Sequence, residues 1–107
     1  TELISALRGE LAGHDPKTGQ VFWRVTTWGI QAKSSPIAGD GIVVLSGDHE
    51  PKTAEVAVRL GGMGDVSETH VLWRFLPTRR RVGTGVIHDG HFYGTRSGGF
   101  VDCIELA

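Results

Sequence analysis

Apolar and polar residues alternate with a period of two along several short stretches of the chain. In EVAVRL, residues 55–60, the side chains of Val56, Val58 and Leu60 fall on one face and the charged ones on the other. Successive side chains of a strand point to opposite faces, so this pattern predicts a strand with one buried face. No stretch keeps a 3.6-residue period over three turns, and the predicted fold class is therefore all-β.

The same reasoning predicts a series of short strands separated by turn residues. The predicted strands span residues 9–14, 20–25, 34–38, 42–46, 54–60, 69–75, 83–87, 91–96 and 100–106. The first eight residues, TELISALR, fit either one helical turn or a strand.

Glycine and aspartate mark the turns, and 16 glycines in 107 residues are about twice the usual share. The stretch DPKTG, residues 15–19, predicts a tight turn in which the Asp15 side chain accepts backbone N–H groups and Gly19 has a positive φ. The pairs Asp40-Gly41 and Asp89-Gly90 lie between apolar runs and predict hairpin turns. Residues 61–65, GGMGD, predict a longer, flexible connection.

The chain repeats these features with a period close to 50 residues. When residues 34–48 are placed over residues 83–97, the two Asp-Gly pairs coincide at an offset of 49. Trp23-Arg24 matches Trp73-Arg74 at an offset of 50, and residues 55–60 resemble residues 102–106. A repeat of this length with four short strands is typical of a β-propeller blade.

The first copy of the repeat also resembles a known motif. Residues 13–23, GHDPKTGQVFW, are similar to the A-x-D-x-x-T-G-x-x-x-W motif of the pyrroloquinoline-quinone-type propeller repeat. That repeat occurs in quinoprotein alcohol dehydrogenases and in related outer-membrane assembly lipoproteins that bind no quinone. Asp15, Thr18, Gly19 and Trp23 match motif positions, whereas Gly13 replaces the alanine.

The second copy departs further from the motif. Leu60 stands where the aspartate is expected, and five additional residues separate it from Trp73. The inserted stretch predicts a longer turn before the strand that carries Trp73. The resemblance implies that Trp23 and Trp73 pack at the interfaces between neighbouring blades.

The predicted architecture is an incomplete propeller ring with about two blades of four antiparallel strands. Residues 1–33 supply the last two strands of a first blade, residues 34–76 a complete blade, and residues 77–107 the first three strands of the next. A propeller closes with about four to eight blades. The chain is therefore expected to be part of a longer propeller, to be unstable alone, or to self-associate as a trimer or tetramer. In the last case the N-terminal strands of one chain would complete a neighbour's last blade.

Composition narrows the possible partners. Eleven basic and 12 acidic residues give a net charge of −1, which argues against nucleic-acid binding driven by charge. No apolar run approaches the ~18 residues of a membrane span, and the first residues lack the apolar stretch of a signal peptide. Relatives with this repeat are often exported, so the compartment is left open.

A single cysteine, Cys103, excludes an internal disulfide, and its apolar surroundings predict a buried thiol.

Several side chains could carry chemistry, and each also has a plain structural interpretation. The three adjacent arginines Arg79, Arg80 and Arg81 could bind a phosphate or an acidic partner, or could form a solvated connection. The candidates interpreted as structural rather than functional are His88 and His91 beside a predicted turn, Asp48-His49-Glu50 in a predicted exposed loop, Trp28, and Ser34-Ser35 before a predicted strand.

No catalytic, cofactor-binding or metal-ligating residue is predicted. The sequence contains no G-x-S-x-G turn and no phosphate-binding glycine loop before a helix. The vicinal cysteine pair of many quinoproteins is impossible with one cysteine. The favoured hypothesis is a non-enzymatic propeller-repeat module that acts as a scaffold or binding surface. The alternative is part of a quinoprotein-dehydrogenase-like or other propeller enzyme whose site forms across blades.

Overall fold

A computed structural model describes residues 1–7, 9–27, 30–32, 35–49, 52–75 and 84–107. These residues form an all-β structure, which confirms the predicted fold class. The strands in chain order are β1 (Leu3–Leu7), β2 (Glu10–His14), β3 (Val21–Thr26), β4 (Gln31–Ala32), β5 (Ile37–Gly39), β6 (Ile42–His49), β7 (Lys52–Arg59), β8 (Gly64–Asp65), β9 (Val71–Phe75), β10 (Val86–His88), β11 (His91–Arg96) and β12 (Phe100–Glu105).

The described strands assemble into three sheets, and all but one of their pairings are antiparallel. The first sheet has the order β1-β2-β3-β8, in which β8 pairs parallel to β3. The central sheet has the order β4-β6-β7-β9, with β5 also paired to β6. The third sheet has the order β10-β11-β12. The N-terminal residues thus form a strand, β1, so residues 1–33 supply three strands to the first sheet instead of the two predicted.

Two apolar clusters hold the three sheets together. The first cluster joins the first sheet to the central one and includes Leu11, Trp23, Val43 and Val56. The second joins the central sheet to the third and includes Val44, Ala57, Phe92 and Leu106. The central sheet is therefore covered on both faces, since alternate residues of its strands enter opposite clusters.

Strand β7 departs from the predicted half-buried pattern. Its residues from Ala54 to Val58 are all buried, and Glu55 is 0% exposed. The Glu55 carboxyl oxygen Oε2 accepts a hydrogen bond from Ser46 Oγ at 2.5 Å on neighbouring β6. Alternation of polar and apolar residues predicted a solvated face here, but the third sheet covers it.

The two Asp-Gly hairpins have the geometry that their sequence predicts. φ is 54° at Asp40 and 75° at Gly41, and it is 49° at Asp89 and 75° at Gly90. Positive φ at both central residues defines a type I′ turn, whose twist matches that of the flanking strands. The turns are also joined, because the Gly90 N–H donates to Asp40 Oδ2 at 2.8 Å.

We expect Gly41→Ala and Gly90→Ala each to lower the free energy of unfolding by about 1–2 kcal/mol. A Cβ atom at either glycine would meet no heavy atom within 4 Å, so the loss would come from the left-handed backbone alone. Urea denaturation measures it, and Gly41→Asn is the control because asparagine tolerates this conformation better. Alanine variants as stable as the parent chain would contradict the assignment of the turn.

The connection from β7 to β9 is ordered by hydrogen bonds to the first sheet, although its glycines predicted flexibility. The Val66 N–H donates to the Arg24 carbonyl oxygen at 2.9 Å, and the Thr26 N–H donates to Ser67 Oγ at 2.9 Å. The Val66 side chain is 3% exposed and belongs to the first cluster. Residues 61–70, called the strap below, therefore tie the central sheet to the first.

Candidate functional site

The third sheet has an outward face that carries apolar side chains. Val86, Tyr93 and Cys103 lie side by side across β10, β11 and β12, because they are register partners. Their neighbours along each strand point to the central sheet, so this row points away from it. Val86 is 58% exposed and Val101, on the same face, is 68% exposed. We call this surface the tail face.

The central sheet contains the same row at equivalent positions. Ile37 pairs with Val44, as Val86 pairs with Tyr93 49 residues later, and Val44 pairs with Ala57. In the central sheet this row packs in the second cluster against the third sheet, and Val44 is 1% exposed. The tail face thus presents to solvent the positions that the central sheet uses to bind its neighbour.

The first sheet shows the complementary feature on its own outward side. Leu3 pairs with His14 as Val43 pairs with Val58, and the two positions are equivalent in their sheets. Val43 is fully buried against the first sheet, whereas Leu3 is 57% exposed. Val21 is exposed in the same way, and its equivalent Val71 packs in the first cluster. We call this outward side of the first sheet the head face.

Cys103 is exposed, which corrects the prediction of a buried thiol. Its equivalent in the central sheet, Ala57, is covered by the third sheet, but no described strand covers the tail face. A hydrogen bond between the side chains of Cys103 and Tyr93 raises the pKa of the Tyr93 phenol above its ordinary value. An apolar sequence context therefore predicted burial that only a further layer would supply.

The first motif copy forms the expected turn. The Lys17 N–H donates to Asp15 Oδ1 at 2.8 Å, and the Gln20 N–H donates to Thr18 Oγ1 at 3.2 Å. φ at Gly19 is 78°, which confirms its predicted positive value. These hydrogen bonds stabilise a turn at the surface.

In the central sheet, the residue equivalent to Asp15 is one position earlier than the residue that the sequence comparison matched to it. The Asp15 N–H donates to the Gln20 carbonyl oxygen, and the Arg59 N–H donates to the His70 carbonyl oxygen, both at 2.8 Å. A register shift precedes each position, between Gly13 and His14 and between Ala57 and Val58. Arg59, and not Leu60, therefore occupies the position of the motif aspartate.

The two tryptophans lie at equivalent positions in successive sheets. Trp23 is opposite Gly13, is fully buried in the first cluster, and donates its indole N–H to Glu2 Oε1. Trp73 is opposite Ala57 and packs at the edge of the second cluster, where it is partly buried. Within the described residues its buried indole nitrogen has no hydrogen-bond partner.

The histidines beside the second hairpin form a cross-strand pair. His88 lies directly opposite His91, so both are on the same face, and His91 Nδ1 lies 2.9 Å from the Asp89 carbonyl oxygen. His91 also borders an open depression of about 380 Å³ at this end of the sheets, together with Arg59 and Glu105. No three His, Cys, Asp or Glu side chains in the described ranges are arranged to hold a metal ion.

Other sequence candidates lie partly or wholly outside the described residues. Arg79, Arg80, Arg81, Trp28, Ser34 and Glu50 are among these. Ser35 is exposed, and Asp48 and His49 end strand β6 instead of lying in the predicted loop.

Polar groups on the facing sides of the central and third sheets carried no signal in the sequence. Ser46 and Glu55 are on the same side of their strands as Val44 and Ala57, which pack against the third sheet. Arg96 and Asp102 form an ion pair at 2.9 Å, with side chains 19% and 18% exposed, on the side of the third sheet that carries Phe92 and Ile104. A charged residue in a strand was assigned to solvent because its covering sheet lies far along the chain.

The strap contains a carboxylate whose pKa the structure shifts. Hydrogen bonds from the side chain and then the backbone N–H of Ser67 hold the pKa of Asp65 below its ordinary value. A lowered folded-state pKa stabilises the protein above the carboxyl group's unfolded pKa, and the contribution is lost as pH falls through the folded value. The strap should therefore loosen in acid.

We expect Ser67→Ala to raise the pKa of Asp65 towards the ordinary aspartate value, because the hydrogen bond from the Ser67 hydroxyl is removed. Carbon-detected NMR titration of the carboxyl group measures the shift. Thr69→Ala is the control, since no hydrogen bond joins its side chain to Asp65. An unchanged Asp65 titration in Ser67→Ala would contradict the strap geometry.

No protein-family model matches the chain, and no curated protein matches it either. Among the residues that the structure describes, no helix is long and apolar enough to span a bilayer.

Proposed function

We propose that the chain is a non-enzymatic β-propeller repeat module, and that it acts as a scaffold by binding further sheets of its own kind. The observation that supports this proposal is that side chains on the tail and head faces are exposed, whereas the equivalent side chains of the central sheet are buried. Tyr93 on the tail face is 37% exposed whereas its equivalent Val44 is 1% exposed. Leu3 on the head face and its equivalent Val43 show the same contrast.

The occupant of these faces is a second copy of the chain. The tail face is equivalent to the surface with which the central sheet binds the third sheet, and the head face is equivalent to the surface with which it binds the first. A head face placed on a tail face would therefore continue the stacking already present within the chain. Such a contact uses two different surfaces, so it adds copies until the ring closes.

The observed strands change how a ring would be completed. The first sheet carries three meander strands of its own, β1 to β3, and the third sheet carries β10 to β12. The sequence suggested that copies exchange a two-strand pair. With three meander strands in each terminal sheet, such an exchange would leave some strands without a place in a four-strand blade. Stacking of intact sheets, three from each copy, uses every described strand without exchange.

Paired face variants test the proposal. Tyr93→Lys places a charge on the tail face and Leu3→Lys places one on the head face, where burial of an unpaired charge is costly. We expect the parent chain to self-associate and each variant alone to be monomeric in sedimentation equilibrium. An equimolar mixture should form a one-to-one complex, because each variant keeps the face that the other lacks.

Met63→Lys is the matched control, since this strap residue is 77% exposed and lies on neither face. It should associate as the parent does. A parent chain that stays monomeric, or variants that associate as it does, would contradict the proposal.

A further inference from the structure

Strand β12 has a free edge in the part of the chain that the structure describes. It pairs with β11 on one side, and no described strand pairs with its other side. The equivalent strands of the other sheets are paired on both sides: β2 also binds β3, and β7 also binds β9. A free edge presents unpaired N–H and C=O groups that can bind another extended segment.

The register of the other sheets predicts which residue would lie opposite Cys103. Trp23 of β3 is opposite Gly13, and Trp73 of β9 is opposite Ala57. Cys103 is the equivalent β12 residue, because it pairs with Tyr93 as Ala57 pairs with Val44. All three are small residues, which leave room for an indole ring on the neighbouring strand.

The two β12 residues that precede Cys103 complement the two residues that follow each tryptophan. An arginine follows in both strands, and Arg74 lies opposite Val56. The equivalent β12 residue is Asp102, whose carboxylate, already paired with Arg96 on β11, would also attract this arginine. The following residue, Phe75, lies opposite Glu55, and the equivalent β12 residue is the exposed Val101. A Trp-Arg-apolar segment therefore matches β12 in shape, charge and apolar character.

We propose that the free edge of β12 binds an extended Trp-Arg-apolar segment by antiparallel strand addition, with the tryptophan opposite Cys103. Main-chain hydrogen bonds supply affinity in this mode, and the alternating side chains set the register. The inference deepens the scaffold proposal by naming the partner of this edge. It rests on strand register alone, so it can hold for a chain that does not self-associate.

Disulfide trapping on the full-length chain tests the register directly. The probes are two synthetic peptides of residues 69–75, one with Trp73→Cys and one with Val71→Cys, each activated as a thionitrobenzoate mixed disulfide. The Cys103 thiolate attacks the peptide sulfur and displaces thionitrobenzoate, whose absorbance reports the rate. Cys103 is the only cysteine, so the reaction site is unambiguous.

We expect the Trp73→Cys peptide to react about tenfold faster than the Val71→Cys peptide, because strand pairing raises the effective concentration of its sulfur at Cys103. The Trp73→Cys peptide lacks the indole ring, so this comparison tests the register of the added strand. The Val71→Cys peptide places its sulfur on the opposite face, because Val71 packs in the first cluster whereas Trp73 packs in the second. Val101→Asp in the protein should abolish the difference, and Val101 is exposed enough that folding is unaffected. Equal rates for the two peptides, or a difference that persists in Val101→Asp, would overturn the inference.

Discussion

Trp23→Ala is expected to lower the free energy of unfolding by about 3–5 kcal/mol. The Trp23 side chain is fully buried between the first and central sheets, and its indole N–H donates to Glu2. Its removal would leave a cavity where the two sheets meet and would also leave the Glu2 carboxyl without this donor. Urea denaturation followed by Tyr or far-ultraviolet signals measures the loss.

Trp73→Ala is the matched comparison for this prediction. Trp73 occupies the equivalent position, but it is only partly buried and its indole nitrogen has no partner within the described residues. We therefore expect a clearly smaller loss than for Trp23→Ala. Equal losses would mean that the second cluster covers Trp73 as tightly as the first covers Trp23, contrary to the partial exposure of Trp73.

Gly13→Ala is expected to destabilise the chain by about 1–3 kcal/mol, even though alanine is the residue of the resembling motif. A methyl group built on Gly13 would overlap the indole ring of Trp23 and approach the Glu2 carboxylate within 2.8 Å. The ring is fixed by burial and by its hydrogen bond, so it cannot move aside without strain. Thermal and urea denaturation of the variant measure the cost.

Gly13→Ala combined with Trp23→Phe provides the control. Phenylalanine is smaller and has no N–H group, so the added methyl group should be tolerated better beside it than beside tryptophan. The cost of Gly13→Ala should then fall in the Trp23→Phe background, which a double-mutant cycle detects as coupling between the two sites. Additive effects would contradict the steric explanation.

Short-range patterns in the sequence predicted much of the strand order. Period-two alternation located most of the observed strands, and the Asp-Gly pairs predicted the hairpin turns at Gly41 and Gly90. These features are local, because side-chain alternation and positive φ depend on a few consecutive residues. The 49-residue offset also predicted equivalent hairpins, whose registers coincide at that spacing.

Features that depend on distant residues could not be predicted in this way. Glu55 was assigned to solvent and Cys103 to the interior, and both assignments were wrong. Glu55 lies on the face of β7 whose Ala57 packs against Phe92 and Leu106, far along the chain, whereas Cys103 lies on a sheet with no described cover. Strand β8 was missed because two residues, Gly64 and Asp65, carry no periodic signal.

The tail face and the head face both expose apolar side chains whose equivalents in the central sheet are buried. The central claim is that a second copy of the chain covers them. The mass of the parent chain in solution, measured by light scattering over a range of concentrations, tests it most directly. Self-association through these faces predicts a mass that rises with concentration above the 11.5 kDa of one chain to that of two or more copies. A mass that stays at 11.5 kDa at every concentration would contradict it.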